Sequence, residues 1–298
     1  MYGVQHAGIG RYVENLIENV LRQDKSNEYF LLVRKEDREK FTMYNVQCKI
    51  VVADARHYSV KEQLLIPYIL EKEKLDLVHF PHFNVPLLYS GKFVVTVHDL
   101  LWHEMKGKDV TTLPGYLYNI KYAGYRLAFA NAVKRSQKVL VPSIWVKNKL
   151  TNAYNIESNR VIVIYEGVGE KYITNQRINE STNQRILKKY KLKKPFLIYT
   201  GSAYPHKNLN RLLEAVKKAR SNNVQLAIVS ARDVFREKLE KEIKHKKLTK
   251  KVKLLGFVPD EDLKILYQEA LAFVFPSLSE GFGLPGLEGG AILSSLPN

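Results

Sequence analysis

Residues 195–220 read PFLIYTGSAYPHKNLNRLLEAVKKAR and contain one strand–loop–helix unit of a larger pattern. A continuously apolar run ends in a glycine, a polar loop follows, and apolar residues then recur at helical spacing. Such a run predicts a strand that is buried on both faces, and the spacing after the loop predicts an amphipathic helix. The same alternation continues through VQLAIVS, REKLEKEIKHK, VKLLGFV, DEDLKILYQEA and LAFVFP. Strands that alternate with helices predict a parallel sheet covered by helices.

The first half of the chain repeats this alternation. Helical spacing begins at Ile9, and another long helix is predicted around 118–136. Apolar runs typical of short buried strands occupy 28–34, 48–54, 75–80, 92–97, 138–142 and 160–165. The sequence therefore predicts an α/β protein with two Rossmann-like domains and two parallel sheets.

A polar segment separates the two halves. Residues 172–184 lose the apolar periodicity, which is typical of a linker. We therefore predict an N-terminal domain at 1–172, a linker with the start of the second domain at 173–194, and a C-terminal domain at 195–298. Folds of this kind bind ligands beyond the carboxyl ends of their strands, so we expect the site in a cleft between two facing sheets.

Composition and charge limit the class of protein. The 298 residues are 45% hydrophobic and include one cysteine, Cys48, which excludes internal disulfides and suits a reducing compartment such as the cytoplasm. No secretory signal and no bilayer-spanning apolar run is recognisable in the sequence. The formal charge is +17, with lysine concentrated at 185–194 and 244–253. This charge suits phosphorylated ligands or peripheral contact with an anionic membrane, but no nucleic-acid-binding motif accompanies it.

Two segments carry groups that suit a phosphate. AGIGRY (7–12) predicts a glycine-bearing loop that enters a helix, where Gly8 and Gly10 let backbone N–H groups approach an anion. Lys207 lies beside the start of the helix that follows the strand PFLIYT. A cation is disfavoured by the dipole at a helix N-terminus, so its position makes sense when an anion such as a diphosphate binds there. Asn208 is the expected N-cap of that helix.

The segment PSLSEGFGLPGLE (276–288) joins the last apolar strand to another predicted helix. It holds Glu280 and Glu288 around two glycines, Gly281 and Gly283. The glycines allow backbone amides to face a ligand, and a carboxylate can bind both hydroxyls of a ribose. We therefore expect this segment to bind a nucleotide or a sugar.

Histidines follow two neighbouring strands of the first half. His98 and Asp99 end the run VVTV, and His82 closely follows the preceding strand. A histidine in this place can bond a ligand hydroxyl or carry a proton, although a purely structural role is equally compatible with it. These residues can gather near one rim with His79, His103 and Glu104. They would also suit a metal-dependent hydrolase, but no HExxH or similarly tight spacing is present.

The acidic triplet Asp260, Glu261 and Asp262 resembles the D-x-D pattern by which some sugar transferases hold a divalent metal. It directly precedes the predicted helix LKILYQEA. Capping and compensation of the helix dipole account for carboxylates in this position. We therefore predict a structural role for the triplet.

Taken together, the motifs resemble glycosyltransferase family 4, the retaining transferases of the GT-B fold, and in particular its mannosyltransferase-like members. The resemblance covers nearly the whole chain and is most specific in its second half. It rests on GIGRY, HFPHFNVP, VVTVHDL, VPS, IYEGV, GSAYPHKNL, LGFVPDEDL and FPSLSEGFGLPGLE, which occur here in the family's order.

The resemblance implies roles for the residues of the second half. Lys207 would stabilise the donor diphosphate, and Glu288 would hold the ribose. Glu280, the first acid of the E-x7-E pattern, would lie beside the transferred sugar as a catalytic residue. Backbone amides around Phe282, Gly283 and Leu284 would bind the sugar or the diphosphate.

The resemblance also implies roles in the first half and a reaction. Gly8 and Gly10 would approach the diphosphate, His98 would contact the transferred sugar, and His82 and Asp99 would lie on the acceptor side. The reaction would move a hexose, mannose or a similar sugar, from a GDP- or UDP-linked donor to a glycan or a lipid-linked acceptor. Anomeric configuration would be retained, and neither a metal nor another cofactor would be needed.

The sequence departs from the family's pattern at three places. An arginine that many relatives carry is replaced within Ser202–Tyr204, and Tyr165–Gly167 reads YEG where many members have PNG. After Glu288, LEGGAILSSLPN departs from the expected helix and the family's last elements do not follow, so we expect an incomplete second domain. The alternative functions are an inactive nucleotide-binding fragment and a GT-B-like sugar-nucleotide epimerase.

Overall fold

The computed structural model describes residues 7–44, 48–105, 114–169, 179–219, 223–230 and 234–294. The helices in this part of the chain are α1 (Ala7–Gln23), α2 (Val60–Lys72), α3 (Leu101–Glu104), α4 (Gly115–Arg135), α5 (Ile144–Tyr154), α6 (Glu180–Lys189), α7 (Leu209–Lys218), α8 (Val234–His245), α9 (Asp260–Glu269) and α10 (Leu284–Ser294). The strands are β1 (Tyr29–Val33), β2 (Cys48–Val52), β3 (Val78–Phe80), β4 (Phe93–Thr96), β5 (Lys138–Val141), β6 (Val161–Val163), β7 (Phe196–Thr200), β8 (Gln225–Val229), β9 (Val252–Leu255) and β10 (Ala272–Phe273). Every strand predicted from an apolar run is thereby confirmed.

The chain divides into two compact units. The first contains Met1–Leu100 and Pro114–Glu166, and the second contains Leu101–Leu113 and Gly167–Asn298. The predicted domain limits at 172 and 195 stay predictions, since residues 170–178 lie outside the described part of the chain.

The main sheet of the first unit has the strand order β3-β4-β5-β6, and all its pairs are parallel. Its strands are short and apolar because both faces are covered, as parallel sheets require. Phe93, Val95 and Val139 have at most 1% of their surface exposed, and they pack in one core with Phe129 of α4 and Leu150 of α5. Helices α4 and α5 therefore fix the position of the strand ends that carry the histidines.

The strands β1 and β2 form a separate two-stranded parallel sheet. The prediction of one parallel sheet in this half is therefore wrong for the first two strands. The physical reason is that this pair has its own small core, in which Leu21 of α1 packs with Val33, Phe41 and Cys48. Burial against α1 gives both strands a covered face without the main sheet.

The sheet of the second unit has the order β10-β7-β8-β9, again with parallel pairs throughout. The chain moves outward from β7 to β8 and β9, and then returns to the other side of β7 to place β10. The strand order therefore reverses between β7 and β10. Ligands of open α/β sheets bind in the crevice that such a reversal leaves at the carboxyl ends of the strands.

The helix α10 differs from the sequence-based expectation. The segment after Glu288 was expected to depart from a helix, yet α10 runs from Leu284 to Ser294. The two adjacent glycines do not break it, because Gly289 and Ile292 lie against the sheet: a Cβ on Gly289 would meet the Phe273 ring at 2.9 Å, and Ile292 belongs to the core. Tertiary burial here outweighs a weak helix propensity.

Candidate functional site

The loops after β7 and β10 meet at the strand reversal of the second unit. The ammonium of Lys207 donates to Glu280 Oε1 at 2.5 Å, and these side chains are 14% and 24% exposed. Lys207 also lies 5.7 Å from the centre of the Phe275 ring, within the range of a cation–π contact. The structure thus brings together two residues that the sequence predicted separately. We call Lys207, Glu280 and the loops at 201–208 and 276–283 the lysine edge.

Two further hydrogen bonds hold these loops together. The Leu278 amide donates to the His206 carbonyl at 2.8 Å, and the Asn208 side-chain amide donates to the Pro276 carbonyl at 3.1 Å. Asn208 is the N-cap residue of α7, as predicted, but its side chain makes no capping hydrogen bond. Asn208 precedes α7 in a left-handed conformation (φ 58°), and its side chain reaches the neighbouring loop instead. This bond fixes the separation of Lys207 and Glu280.

Glycines allow the turns of both loops. Gly201 has φ 145°, and a Cβ there would lie 2.9 Å from the Tyr199 hydroxyl. Gly283 has φ 88°, and a Cβ there would lie 3.2 Å from the Phe275 ring. Both φ values belong to the region that residues with a side chain rarely adopt. The backbone at both turns therefore depends on glycine.

The predicted amides at Phe282, Gly283 and Leu284 lie at the start of α10. The first N–H groups of a helix have no partner within the helix, and the helix dipole makes this end attractive to an anion. Glu288 lies one turn further along α10 and is only 3% exposed. Its role in holding a ribose stays a prediction, as does the role of the amides.

His206 is a buried polar group within the lysine edge. The residue is 6% exposed, and its Nδ1 has no hydrogen-bond partner. Burial and, to a smaller extent, the nearby Lys207 cation lower the pKa of His206 to about 4, although Glu280 acts in the opposite direction. The imidazole is therefore neutral near pH 7, and the charge at this edge comes from Lys207 and Glu280.

The acidic triplet that resembles D-x-D lies in the first turn of α9, where negative charge compensates the helix dipole. The helix has Pro259 at its N-cap and no side-chain capping bond, so the predicted capping part of this role is wrong. Asp262 instead accepts hydrogen bonds from the Lys189 ammonium at 2.5 Å and from the Tyr190 hydroxyl at 2.7 Å. Across the described ranges, no cluster of three or more His, Cys, Asp or Glu side chains could hold a metal ion.

In the first unit, His98 lies at the carboxyl end of β4 with both ring nitrogens near oxygen atoms. Its Nε2 lies 2.9 Å from the Pro81 carbonyl oxygen, and its Nδ1 lies 3.4 Å from Glu166 Oε1. The ring of Tyr12 packs edge-on against the imidazole at 4.8 Å. His98 is thus held in one orientation by its neighbours.

A second set of contacts joins α1 to the same place. The Thr96 hydroxyl lies 2.8 Å from His79 Nε2 and 3.0 Å from the Tyr12 hydroxyl, and Thr96 is 3% exposed. Burial, and secondarily the nearby His98, lower the pKa of His79 to about 4. The imidazole is neutral and takes part in a hydrogen-bonded network.

His82 and Asp99, the two predicted acceptor-side residues, differ in their surroundings. Burial and the neighbouring His98 lower the pKa of His82 to about 4, and its Nδ1 accepts a hydrogen bond from the Asn84 amide at 3.3 Å. Asp99 is exposed and acts electrostatically on Tyr125. His82 therefore lies close enough to His98 to interact electrostatically with it, and the acceptor-side role of both His82 and Asp99 stays a prediction. The histidine edge consists of Tyr12, His79, His82, Thr96, His98 and Glu166.

The predicted glycine loop at Gly8 and Gly10 is a helix in the structure. Helix α1 begins at Ala7, so both glycines lie in its first turn and the loop assignment is wrong. Gly8 is exposed and has open space around a hypothetical Cβ, whereas Gly10 is buried. First-turn N–H groups remain available to an anion, so the phosphate-binding role stays a prediction.

Sequence reasoning missed Glu166, Tyr12 and Thr96. Glu166 was noted as a departure from the family's pattern but was given no role. A signal existed, because Glu166 follows the strand β6 as His98 follows β4, and parallel strands end at one edge. Tyr12 and Thr96 carried no comparable signal, since their hydroxyls come together only through a contact between α1 and the sheet.

The two parallel α/β units and the strand-end positions of these groups define a GT-B glycosyltransferase fold. The glycosyltransferase WaaG, which is involved in lipopolysaccharide biosynthesis, superposes with a TM-score of 0.70 at 15% identity, over 98% of this chain and 76% of that chain. The Anabaena protein Alr3699/HepE in complex with UDP and glucose superposes with a TM-score of 0.68 at 16% identity, over 93% and 74% of the two chains.

The chain belongs to Glycosyltransferase Family 4, whose sequence pattern matches residues 6–171. Residues 181–292 match the glycosyl transferases group 1 domain. A relative is the O-antigen chain mannosyltransferase RfbU of Salmonella typhimurium, which is 31% identical over 223 residues, or 74% of this chain and 54% of that protein. The chain thus spans about half the length of this curated relative. No helix in the described part of the chain is long and apolar enough to span a bilayer.

Proposed function

We propose that this chain transfers a hexose, mannose or a similar sugar, from a nucleoside diphosphate sugar to a glycan or lipid-linked acceptor. The likeness to an O-antigen mannosyltransferase supports the sugar and the acceptor class. The likeness to a protein solved with UDP and glucose supports a nucleotide-sugar donor. We also propose that the donor carries GDP or UDP and that configuration at the anomeric carbon is retained.

The observation that carries this proposal is the Lys207–Glu280 pair at the strand reversal. A lysine ammonium lies at the carboxyl end of a central strand, close to the starts of α7 and α10. The N-terminal end of each helix carries partial positive charge. An anion bound there is therefore stabilised by two helix ends and by the Lys207 ammonium. A diphosphate has the negative charge that such a place favours.

The chemistry follows from where charge develops. The bond between the anomeric carbon and the diphosphate oxygen breaks, and the negative charge that grows on the leaving group is stabilised by Lys207 and the amides at the start of α10. The acceptor oxygen bonds to the same face of the anomeric carbon, and its proton passes to an oxygen of the leaving phosphate. Glu288 holds the ribose, Glu280 lies beside the transferred sugar, and His98 contacts that sugar.

No metal or other cofactor takes part in the proposed reaction. Lysine and helix N-termini supply the positive charge that a divalent cation supplies in other transferases. We expect transfer to be unchanged by a chelator. A peripheral contact with anionic membrane is proposed as a subordinate feature, because the lysines at 185–194 and 244–253 attract anionic lipid.

The experiment is calorimetric titration of the chain with GDP, UDP and ADP in the presence of a chelator, for wild type and Lys207→Ala. We expect one nucleotide to bind selectively and Lys207→Ala to weaken it by about 10- to 100-fold, the effect of losing one charge-assisted hydrogen bond. The selected nucleotide then defines the sugar nucleotides to test for transfer to a mannoside or polyprenyl-linked acceptor.

The matched control is Lys217→Ala, since Lys217 is an exposed lysine on α7 in the same unit. The affinity of Lys217→Ala for the selected nucleotide should stay within about twofold of wild type. Equal binding by wild type and Lys207→Ala would contradict the proposed donor site. Hydrolysis or epimerisation of the free sugar nucleotide in place of transfer would contradict the proposed reaction.

A further inference from the structure

The residue Glu166 holds a position in the sheet that is equivalent to that of His98. Backbone bonds continue the ladders beyond the strands, from the Val97 amide to Leu140 and from the Ile164 amide to Val141. β5 lies between β4 and β6, so the segments after these two strands end at the same edge of the sheet. A glutamate after β6 is long enough to reach a side chain that follows β4.

The contact between these residues lies in the plane of the imidazole. Each side chain is 14% exposed, so the contact is largely shielded from water. A carbonyl oxygen only accepts hydrogen bonds, so the Nε2 of His98 donates to Pro81. The carboxylate of Glu166 faces the opposite nitrogen, Nδ1, at 3.4 Å.

The face of the ring is restrained by a different residue. Tyr12 packs against it edge-on, and the Tyr12 hydroxyl is itself fixed by Thr96. Thr96 is fixed in turn by His79. With the face held by Tyr12 and Nε2 held by Pro81, Glu166 supplies the restraint at Nδ1.

We propose that Glu166 is a positioning residue for His98. It fixes the plane of the imidazole at the carboxyl end of β4 through its polar contact with Nδ1, and it does so across the intervening strand β5. The catalytic consequence rests on the proposed function, in which His98 contacts the transferred sugar. The structural consequence, an ordered His98 ring, does not depend on that function.

If Glu166 and His98 formed an ion pair that only stabilised the fold, removing Glu166 would have a different consequence. Partly exposed ion pairs contribute about 0–1 kcal/mol, and removing one changes stability without changing the orientation of a catalytic ring. A positioning role requires the polar contact with Nδ1 itself. The test therefore compares side chains of similar size that differ in hydrogen bonding.

The variants are Glu166→Gln and Glu166→Met. The amide of glutamine can donate to Nδ1, whereas methionine fills a similar volume without such a donor. The first readout is the ring N–H signal of His98 in NMR spectra, identified by its loss in His98→Gln. We expect the signal in wild type and Glu166→Gln, because the ordered ring keeps its bond to Pro81, and we expect it to broaden beyond detection in Glu166→Met.

The second readout is transfer. Glu166→Met should lower kcat by about tenfold, the effect of losing one hydrogen bond to a charged group, while Glu166→Gln recovers most of the rate. Nucleotide affinity should stay within about twofold in both variants, because the lysine edge is unchanged. Glu157→Gln, an exposed glutamate of the same unit, is the matched control and should behave as wild type.

The outcomes separate the two proposals. An equally sharp His98 signal in Glu166→Met, or no signal in wild type, overturns the positioning role whatever the transfer assay gives. Absence of transfer from every sugar nucleotide overturns the proposed function, while the NMR comparison still decides the role of Glu166. If Glu166→Met loses its cooperative unfolding transition, Glu166→Asp is used instead. The carboxylate of aspartate is one methylene further from His98, so an unchanged His98 N–H signal in Glu166→Asp overturns the proposal.

Discussion

The histidine edge and the lysine edge both lie at the carboxyl ends of parallel strands, but they differ in their polar groups and in how these groups contact each other. At the histidine edge, buried neutral groups bond to each other through the Thr96 hydroxyl. At the lysine edge, two loops hold a cation and a carboxylate in contact. In the function we propose, the first arrangement contacts the transferred sugar, and the second binds a diphosphate that replaces Glu280 as the partner of Lys207.

The difference follows from strand order. In the main sheet of the first unit the described strands follow one another from β3 to β6, so the loops after them lie side by side. In the second unit the order reverses between β7 and β10, and the loops after these two strands bring Lys207 to Glu280. The same parallel architecture thus produces two chemically different edges.

Lowering the pH should reduce the free energy of unfolding, and the histidine edge should contribute more to this loss than the lysine edge. We expect this to be the largest of the predicted effects. Burial holds the pKa of His79 and His82 at the histidine edge, and of His206 at the lysine edge, at about 4. The unfolded chain, with pKa values near 6.5, therefore binds more protons between these limits. Stability is complete above pH 6.5 and falls as the pH drops toward 4, by up to about 1.4 kcal/mol per pH unit for each histidine.

Calorimetric unfolding at several pH values between 7 and 4.5 measures this effect. The double variant His79→Gln, His82→Gln should lose more of the acid sensitivity than His206→Gln. The exposed His245 provides the control, and His245→Gln should retain the full acid sensitivity. An equal change in all three variants would show that burial at the two edges does not set the pH dependence.

Two threonines at corresponding strand ends allow the stability contributions of the two edges to be compared. Thr96 ends β4 and contacts both His79 and Tyr12, whereas Thr200 ends β7 and contacts the Tyr267 hydroxyl at 2.6 Å. Thr96→Val should lower the free energy of unfolding by about 2 kcal/mol, because two buried partners lose a bond. Thr200→Val should lower it by about 1 kcal/mol. Urea denaturation measures both values, and a larger loss for Thr200→Val would contradict the description of the histidine edge as the more connected network.

The lysine edge depends on a backbone conformation that glycine permits. Gly283→Ala should destabilise the chain by about 1 kcal/mol, because φ is 88° and the new Cβ lies against Phe275. Gly290 lies on the same helix α10, and its Cβ would meet no atom within 4 Å. Gly290→Ala should therefore stabilise the chain by about 1 kcal/mol through helix propensity. Thermal unfolding of both variants should give shifts of opposite sign, and shifts of equal sign would refute this reasoning.

The smallest expected effect is a change in nucleotide affinity when the Glu280 carboxylate no longer competes with a diphosphate for Lys207. Glu280→Gln removes the carboxylate that pairs with the ammonium, so a diphosphate no longer has to displace it. We expect the selected nucleotide diphosphate to bind about threefold more tightly, since a partly exposed ion pair is worth less than about 1 kcal/mol. Titration calorimetry checks this value. Weaker binding would mean that Glu280 orients Lys207 for the ligand and does not compete with it.

Local pattern predicted most of the regular structure. Apolar runs of the two main sheets became strands because such sheets are covered on both faces, as the adjacent buried residues Ile198 and Tyr199 of β7 show. The sequence failed where tertiary burial overrode a weak local signal. Helix α10 formed although two glycines argued against it, and β1 and β2 left the main sheet because α1 covers them.

The same division applies to the candidate site. The sequence alone determined which residue types lie at strand ends, because the change from an apolar run to a polar loop is a local property, and it thereby identified Lys207, Glu280 and His98. Tertiary structure alone decided their partners. Lys207 and Glu280 are 73 residues apart, and His98 and Glu166 are 68 residues apart. Which strand ends become neighbours depends on the order in which helical crossovers place the strands, and side-chain periodicity within one segment carries no information about that order.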